Sequence, residues 1–359
     1  MPFKMIVAPH LRGSNTTSKF MFNVILAMIP AILVATFFFG WGVLTNIIIS
    51  CIAGVIVETI ALKLRKHSLK KYLSDGSVLV TGTLLGIAIP QLAPWWLPVV
   101  GMIMAIGIAK HLYGGLGYNP FNPAAVGYVV MLISFPKEMS QWVAPDWMGQ
   151  FDAGNLGIID TLNAVFFREF PAEKSLDMLT GASPIDLIKG QLKMGIPFPE
   201  IFGATKDENR AVLGMFVGKG WEWVNVSLLI GGIYMIYKKV ISWHIPAGML
   251  GSLFILSGIF YLTSSKGAYM PPHYHIFSGG IMLGAFFIAT DPVTTATSNL
   301  GKLIFGIGAG TITFLIRTWG SFPDGIAFAV LLMNLSAAYI DHFTVPKPYG
   351  YQKKAKGDK

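Results

Sequence analysis

The sequence predicts an all-α polytopic membrane protein with about ten transmembrane helices, arranged as two inverted five-helix repeats with an extracytoplasmic insertion between them. Three observations lead to this fold class. Of the 359 residues, 53% are hydrophobic and only 13% are charged, about half the charged fraction of a typical soluble domain. Apolar runs of roughly 20 residues, the length that crosses a bilayer, recur along the chain. One glycine pattern occurs on each side of a charged central segment.

Apolar runs and their breakers set the predicted spans. The polar leader contains no apolar stretch typical of a signal peptide, so we expect the first helix itself to direct membrane insertion. The predicted spans are residues 20–39, 41–63, 77–91, 94–112, 122–136, 222–238, 241–263, 276–292, 301–318 and 323–342.

Charged residues orient these spans. Lys and Arg gather in short loops such as 64–71 and in the tail, which predicts that these segments and both termini face the cytoplasm. Most of the 18 Asp and Glu residues instead fall between the fifth and sixth spans, which predicts a water-facing extracytoplasmic insertion. The predicted organisation is a cytoplasmic segment 1–19, a first repeat 20–136, an insertion 137–221, a second repeat 222–342 and a basic cytoplasmic tail 343–359.

The repeated pattern lies on the third span of each set. "GTLLGIAIP" (82–90) and "GIMLGAFFIATDP" (280–292) share a GxxLG core and end in proline. Because each repeat has an odd number of helices, five, the second repeat crosses the membrane in the opposite direction to the first. Such inverted repeats place a site at their interface, near the middle of the membrane. Close helix packing is the alternative explanation for these glycines.

Polar residues inside or beside the spans are candidate site residues. Asn119 and Asn122 in "GYNPFNPAAVGY" are three residues apart and can face one ligand, although either can instead cap a helix. Asp291 follows the eighth span near several threonines, where it could bind a hard cation or end a helix. Glu58 lies deep in the second span, which indicates an ion path, unless it extends to the membrane surface near Lys63.

Other functions lack support in the sequence. The net charge of +9 is distributed as expected for loops facing anionic lipid, not for binding nucleic acid. Cys51 is the only cysteine, so the chain cannot by itself form a disulfide or an iron–sulfur cage, and the residue is interpreted as a small core residue or a ligand shared with a partner. No nucleotide-binding or hydrolase motif is present, and no metal site is expected.

The stretch "DMLTGAS" (177–183) interrupts the insertion with small, hydroxyl-bearing residues. A hydroxyl beside small residues is sterically open and can form a phosphate ester. A helix cap followed by a turn explains the same residues and is the interpretation that the spacing alone favours. The residues alone leave both interpretations open.

Together with "FKMIVAPH", "NPFNPA", "FFIATDPV" and "FPDGIAFAVLLMNL", this stretch resembles a family of membrane subunits, and the resemblance covers nearly the whole chain in order. That family contains the D subunit of the Rnf ferredoxin:NAD oxidoreductase and the B subunit of the sodium-pumping NADH:quinone oxidoreductase. The short leader favours the Rnf branch. The resemblance implies a bacterial inner-membrane protein that works with other subunits of an electron-transport complex.

The resemblance also implies cofactors and their sites. A flavin transferase would attach FMN through its phosphate to Ser183, with Asp177, Thr180, Gly181 and Ala182 as recognition residues. Because the family usually has Thr at the acceptor position, Thr180 remains the alternative acceptor. A noncovalent riboflavin would lie near the paired asparagines.

The predicted function is therefore an electron-carrying membrane subunit that couples electron transfer between ferredoxin and NAD to Na⁺ or H⁺ translocation. The ferredoxin and NAD sites would lie on partner subunits, because this chain lacks motifs for either. The rival hypotheses are a flavin-free solute channel or carrier on the same inverted-repeat fold, and a scaffold subunit.

Overall fold

Helices make up most of the chain, as the hydropathy pattern predicts. The computed structural model describes residues 16–145, 156–172, 174–204, 214, 217–264, 267–322 and 324–345. The leader motif and nearly all of the predicted basic tail lie outside the described residues, as does part of the insertion.

The first set of helices follows the first five predicted spans closely. Its first helix begins where the Thr16 side chain accepts a hydrogen bond from the backbone N–H of Lys19, a common way to satisfy a free helix donor. The set comprises α1 (Thr17–Phe39), α2 (Gly42–Leu64), α3 (Leu69–Leu73), α4 (Ser77–Ala88), α5 (Trp96–Met102) with a π-helical continuation (Ile103–Leu112), and α6 (Pro123–Ser134).

The insertion consists of short elements. Its helices are α7 (Pro136–Ser140), α8 (Ile158–Phe166), α9 (Leu176–Leu179), α10 (Pro184–Lys193) and α11 (Phe198–Ala204). Between them, β1 (Trp142–Val143) pairs antiparallel with β2 (Thr180–Gly181). This small pairing is a departure from the all-α prediction, and it ties the DMLTGAS stretch to the segment that follows α7.

The second set of helices again follows the predicted spans. It comprises α12 (Trp221–Tyr237), α13 (His244–Thr263), α14 (Pro272–Phe277), α15 (Ile281–Leu283) with a π-helical continuation (Gly284–Ile288), α16 (Asn299–Trp319) and α17 (Ile326–Thr344). The eighth predicted span, 276–292, is broken into two pieces, and Gly279 with φ +60° lies at the break.

The described helices fit a polytopic membrane protein. Five of them are long and apolar enough to cross a bilayer, namely α1, α2, α13, α16 and α17, and the helices at 77–88, 96–112 and 123–134 are shorter but apolar. Large aliphatic side chains such as Ile52, Ile56 and Ile60 are more than half exposed along one face of α2. Such exposure is expected where lipid is the solvent.

Buried asparagines satisfy the backbone where the helices break. After α4, the Asn46 amide donates to the carbonyl of Pro90 at 2.8 Å. Before α15, the Asn225 amide donates to the carbonyls of Phe277 at 3.1 Å and Gly279 at 3.0 Å. Lipid cannot satisfy such groups, so irregular backbone inside a membrane needs protein partners.

Glycines let neighbouring helices approach closely, as the packing alternative predicted. A Cβ on Gly86 would lie 2.6 Å from the Cα of Ile47 on α2. A Cβ on Gly284 would lie 2.3 Å from Cγ2 of Ile326. The glycines of the repeated GxxLG pattern therefore serve packing, whatever else they do.

The two sets share one hydrophobic core. Buried residues of α1 such as Met28 cluster with Leu228 of α12 and with Phe305 of α16. Near the other end of the interface, the Asn122 backbone N–H donates to the Asn334 side chain on α17 at 3.1 Å. Cavities that lie between the sets are therefore lined by both halves of the chain.

Candidate functional site

An outer cavity lies between the two sets of helices, next to the insertion. The cavity and its opening to solvent enclose about 950 Å³. Its walls are mainly apolar and aromatic, with Ser183 and Asp324 among the few polar side chains. The aromatic wall residues are Tyr128, Trp142 and Trp221. A mostly apolar hollow with a few polar groups is the usual form of a small-molecule site.

Ser183 lies at the start of α10 and lines the outer cavity. Its Oγ accepts the backbone N–H of Asp186 at 3.3 Å and donates to Oδ2 of the same residue at 2.8 Å. Burial raises the pKa of the Asp186 carboxyl, and its hydrogen bonds with Ser183 and the charge of Lys189 oppose that shift. The N-terminus of a helix also favours a negative group such as phosphate.

The Thr180 hydroxyl does not line the outer cavity. Its Oγ1 donates to the carbonyl of Leu176 at 2.8 Å, back into the short helix α9. Asp177, Gly181 and Ala182 are exposed, and a Cβ on Gly181 would meet no atom within 4 Å. The structure therefore brings only one motif hydroxyl, that of Ser183, into the outer cavity, and it leaves open space around the two small residues before it.

An inner cavity lies at the opposite end of the same interface. Asn119, Asn122 and Asp291 line it together, as do Lys110 and Ser77. The cavity and its opening enclose about 1070 Å³. The structure thus brings the paired asparagines and the predicted acid into one hollow.

The two asparagines also hold the backbone in place. The Asn122 side chain accepts the Ala125 N–H at 3.1 Å, so it caps α6, as the capping alternative predicted. Its amide donates to Ile288 O at 3.3 Å and lies 3.4 Å from Asp291 Oδ2, which links the two sets of helices. The Asn119 amide donates to Phe121 O at 3.1 Å within its own turn.

The carboxylate of Asp291 holds the turn that follows it. Its Oδ1 accepts the Val293 N–H at 3.2 Å, and Thr294 Oγ1 lies 3.4 Å from Oδ2. The Thr290 hydroxyl donates to the carbonyl of Phe286. Among the described residues no cluster of three or more His, Cys, Asp or Glu side chains could hold a metal ion.

Glu58 is buried, which corrects the idea that it extends to the membrane surface near Lys63. Both of its carboxylate oxygens lie 2.8 Å from Lys110 Nζ, and the third hydrogen bond of that ammonium goes to Ser77 Oγ at 2.9 Å. His111 Nε2 lies 3.2 Å from Glu58 Oε1. Both partners of the ion pair are nearly inaccessible to solvent. Because a buried acid needs a partner, Lys110 explains why Glu58 is tolerated there.

Leu84 and Ala124 separate the two cavities, since each of them lines both. The outer and inner cavities are therefore neighbours between the two sets of helices, divided by these two side chains. A molecule bound in either cavity would contact both halves of the chain.

The family model described as "NQR2, RnfD, RnfE family" matches residues 4–350. This chain belongs to the NQR2, RnfD, RnfE family. Similar relatives cover almost the whole chain, and each is named as the D subunit of an ion-translocating oxidoreductase complex. The relative from Aliivibrio salmonicida (strain LFI1238) is 43% identical over 360 residues, with 98% of this chain and 100% of the relative covered. The relative from Cellvibrio japonicus (strain Ueda107) is 43% identical over 351 residues, with 97% of this chain and 95% of the relative covered. The relative from Shewanella sediminis (strain HAW-EB3) is 44% identical over 357 residues, with 98% of this chain and 99% of the relative covered.

Membership of the NQR2, RnfD, RnfE family confirms the resemblance drawn from the motifs. Sequence reasoning missed three charged residues near the cavities, namely Lys110, Asp186 and Arg317. Arg317 is fully buried and donates to both carboxylate oxygens of Asp324, at 3.2 and 3.3 Å. A lysine inside an apolar run was the available signal for Lys110, and an acid three residues after a capping serine was the signal for Asp186.

Proposed function

We propose that this chain is the D-type membrane subunit of an Rnf-type ion-translocating oxidoreductase complex in the bacterial inner membrane. In this role it carries electrons between partner subunits and couples their transfer between ferredoxin and NAD to Na⁺ or H⁺ translocation. The proposal is supported by similarity to proteins named as D subunits of such complexes over nearly the full length of the chain. The other membrane and electron-transfer subunits would supply the ferredoxin and NAD sites.

The observation that carries the proposal is the position of the Ser183 hydroxyl. It opens into a largely apolar cavity whose walls include Tyr128, Trp142 and Trp221, and aromatic rings suit the flat ring system of a flavin. The same hydroxyl begins a helix, where backbone N–H groups favour a phosphate. The residues present therefore fit FMN attached through its phosphate by a flavin transferase, with Asp177, Thr180, Gly181 and Ala182 as recognition residues.

Bound flavin would supply the one- and two-electron chemistry that amino acids lack. The chain's own residues would set the conditions for it. The aromatic walls would orient the ring and exclude water, and the N–H of Asp186 would hold the phosphate oxygen nearby. Arg317 already neutralises Asp324 at the edge of the same cavity.

Riboflavin is proposed for the inner cavity, beside Asn119 and Asn122. The amide contacts of Asn122 with Ile288 O and Asp291 are long, at 3.3 and 3.4 Å. They can be exchanged at small cost for hydrogen bonds to a polar flavin edge. Glu58 and Asp291 are proposed as groups on the ion path, because Asp291 lines the inner cavity and Glu58 is paired with Lys110, which lines the same cavity.

Ten membrane crossings in two inverted repeats are proposed for the whole chain. Helices occur in each of the predicted stretches among the described residues, and the first helices of the two sets, α1 and α12, pack against each other. The last ones, α6 and α17, do so as well. This arrangement supports a two-fold relation within the membrane plane. Both termini would face the cytoplasm and residues 137–221 the periplasm.

The test is to produce the chain together with its flavin transferase and look for flavin fluorescence on a denaturing gel. The unaltered chain should give a fluorescent band, and mass spectrometry should assign the added FMN to the peptide that contains Ser183. Ser183→Ala should abolish the band, whereas Thr180→Ala, which removes only a recognition hydroxyl, should weaken the band and leave the FMN on Ser183. Fluorescence that survives Ser183→Ala but not Thr180→Ala would move the attachment to Thr180, and a dark unaltered chain would favour a flavin-free carrier.

A further inference from the structure

The Ser183 hydroxyl is held on both sides by a single residue. Its oxygen accepts the backbone N–H of Asp186 at 3.3 Å, which is the contact that helix capping requires. Its proton is directed at Asp186 Oδ2, 2.8 Å away. Capping does not need this second contact, because a serine caps a helix as an acceptor only. The carboxylate therefore already accepts a hydrogen bond from the proton that Ser183 must lose before its oxygen attacks the phosphorus of a flavin phosphate.

The carboxylate of Asp186 is not neutralised by a contacting cation among the described residues. Lys189 is on the same helix, but its Nζ donates to the carbonyls of Ile316 at 2.9 Å and Phe322 at 2.7 Å. Within the described ranges, the side-chain donor to Asp186 Oδ2 is the Ser183 hydroxyl. An oxygen that is free to accept a proton is what a general base requires.

The surroundings make this carboxyl a stronger base than an exposed aspartate. Burial raises its pKa, and the nearby Asp324 acts in the same direction, whereas Ser183 and Lys189 oppose the shift. Tyr128 of α6 lines the outer cavity together with Ser183 and Asp324. A base is most effective when its pKa lies nearer the working pH.

An acid in the first turn of a helix also has a purely structural use, since it interacts favourably with the helix dipole. That use requires neither the hydrogen bond to the hydroxyl nor the partial burial. We propose that Asp186 is the general base that takes the proton from Ser183 Oγ during flavin attachment, an inference that rests on the proposed function of Ser183.

The step balances without any redox change. A flavin adenine dinucleotide presented by the transferase is attacked by Ser183 Oγ at the phosphorus of its FMN half. The new Oγ–phosphorus bond forms as the bond from that phosphorus to the bridging oxygen breaks, and adenosine monophosphate leaves. The hydroxyl proton passes to the Asp186 carboxylate. The carboxyl so formed can donate to an oxygen of the attached phosphate or release its proton to solvent.

Single-turnover labelling tests the assignment. The purified full-length chain is mixed with excess transferase and flavin adenine dinucleotide at a series of pH values, and the fluorescent product is followed on denaturing gels. Asp186→Asn keeps the size and the hydrogen-bond acceptor but removes the basic oxygen. Asp160→Asn is the matched control, because Asp160 lies in the first turn of another helix of the insertion, α8. Thermal unfolding of each variant checks that the fold is intact.

Asp186→Asn should lower the labelling rate about 10²-fold. It should also remove the rising limb of the pH–rate profile that deprotonation of Asp186 gives to the unaltered chain, and Asp160→Asn should retain both. Equal rates for the two variants, or a slower Asp186→Asn variant with an unchanged pH profile, would overturn the base role while leaving Ser183 as the acceptor. Absence of labelling in the unaltered chain would instead overturn the proposed function itself.

Discussion

Lys110 and Glu58 show how single residues decide whether charge can exist inside this protein. Each carboxylate oxygen is 2.8 Å from the ammonium, and both side chains are nearly inaccessible to solvent. Lys110 also lines the inner cavity together with Ser77. Breaking a buried ion pair leaves one charge without a partner, whereas replacing both members with neutral groups avoids that cost.

Lys110→Met should therefore destabilise the protein by about 3–5 kcal/mol, and the double variant Glu58→Gln with Lys110→Met should regain much of the loss. Thermal unfolding in detergent, followed for the two variants and the unaltered chain, measures both effects. A double variant no more stable than Lys110→Met would show that the pair is not the source of the stability.

Lys189 adds a pH dependence to the insertion. Burial lowers its pKa to about 8, with Lys193 contributing in the same direction, although Lys189 donates to two carbonyls. The unfolded chain then binds more protons than the folded one between that value and the ordinary lysine range near 10.4, so stability should rise with pH across that window. The unfolding temperature of the unaltered chain should rise relative to that of Lys189→Met from pH 8 to 10. A difference that stays constant over this range would contradict the shift.

Ser183 and Glu58 show which features of single residues the sequence could predict and which it could not. Ser183 could be predicted as the acceptor because its motif is contiguous, and its position in the outer cavity supports that prediction without testing it. The partner of Glu58 could not be predicted, because Lys110 lies 52 positions away and belongs to another helix. The nearness of Lys63 in sequence suggested only that Glu58 extends to the membrane surface, which its burial contradicts.

At the scale of helices, close packing of α2 and α4 depends on glycine. A Cβ added at Gly86 would lie 2.6 and 2.8 Å from backbone atoms of Ile47, which cannot move aside as a flexible side chain could. Gly251, on α13, has no atom within 4 Å of the same position. The two glycines thus provide a matched comparison.

Gly86→Ala should destabilise the protein by about 1–3 kcal/mol because it forces the two helices apart. Gly251→Ala should be neutral or slightly stabilising, since alanine favours helix more than glycine does. Unfolding temperatures in detergent distinguish the two outcomes. Equal effects of the two substitutions would indicate that the packing of α2 on α4 can relax around a methyl group.

Helix positions were predictable because apolar runs of the required length leave a strong signal. Pro292 predicted the end of the eighth span, but nothing in the hydropathy predicted a break within it. The break comes at Gly279, where the side-chain amide of Asn225 on α12 donates hydrogen bonds to the backbone carbonyls of Phe277 and Gly279. That partner is distant in sequence, so hydropathy alone could not locate it.

For the whole molecule, the proposed orientation in the membrane places α7 on the periplasmic side and α3 on the cytoplasmic side. In a Cys51→Ser background, Ser140→Cys and Ser74→Cys place single thiols at exposed sites on α7 and beside α3. A membrane-impermeant thiol reagent applied to intact spheroplasts should label the first and not the second. Both should react after lysis. Labelling of Ser74→Cys alone in intact spheroplasts would reverse the proposed topology.

The overall architecture was predictable in outline, since membrane helices, a polar insertion and the family were all indicated by the residues. The repeated pattern also predicted a site between the two halves, but the two cavities and their linings could not be predicted, because they arise from side chains that meet only in the folded chain. Asn122 illustrates this point, since it was predicted as a site residue from its own motif but is held by Asn334 and Ile288 of the other half.

The barrier formed by Leu84 and Ala124 has an electrical consequence. Each cavity opens to solvent, so where water enters both of them the membrane potential would fall mainly across these two residues instead of across the full bilayer. A unit charge crossing that short distance would then exchange about 2.3 kcal/mol with the membrane for every 100 mV. The electrical work of moving an ion would then be done over the short distance between the two cavities.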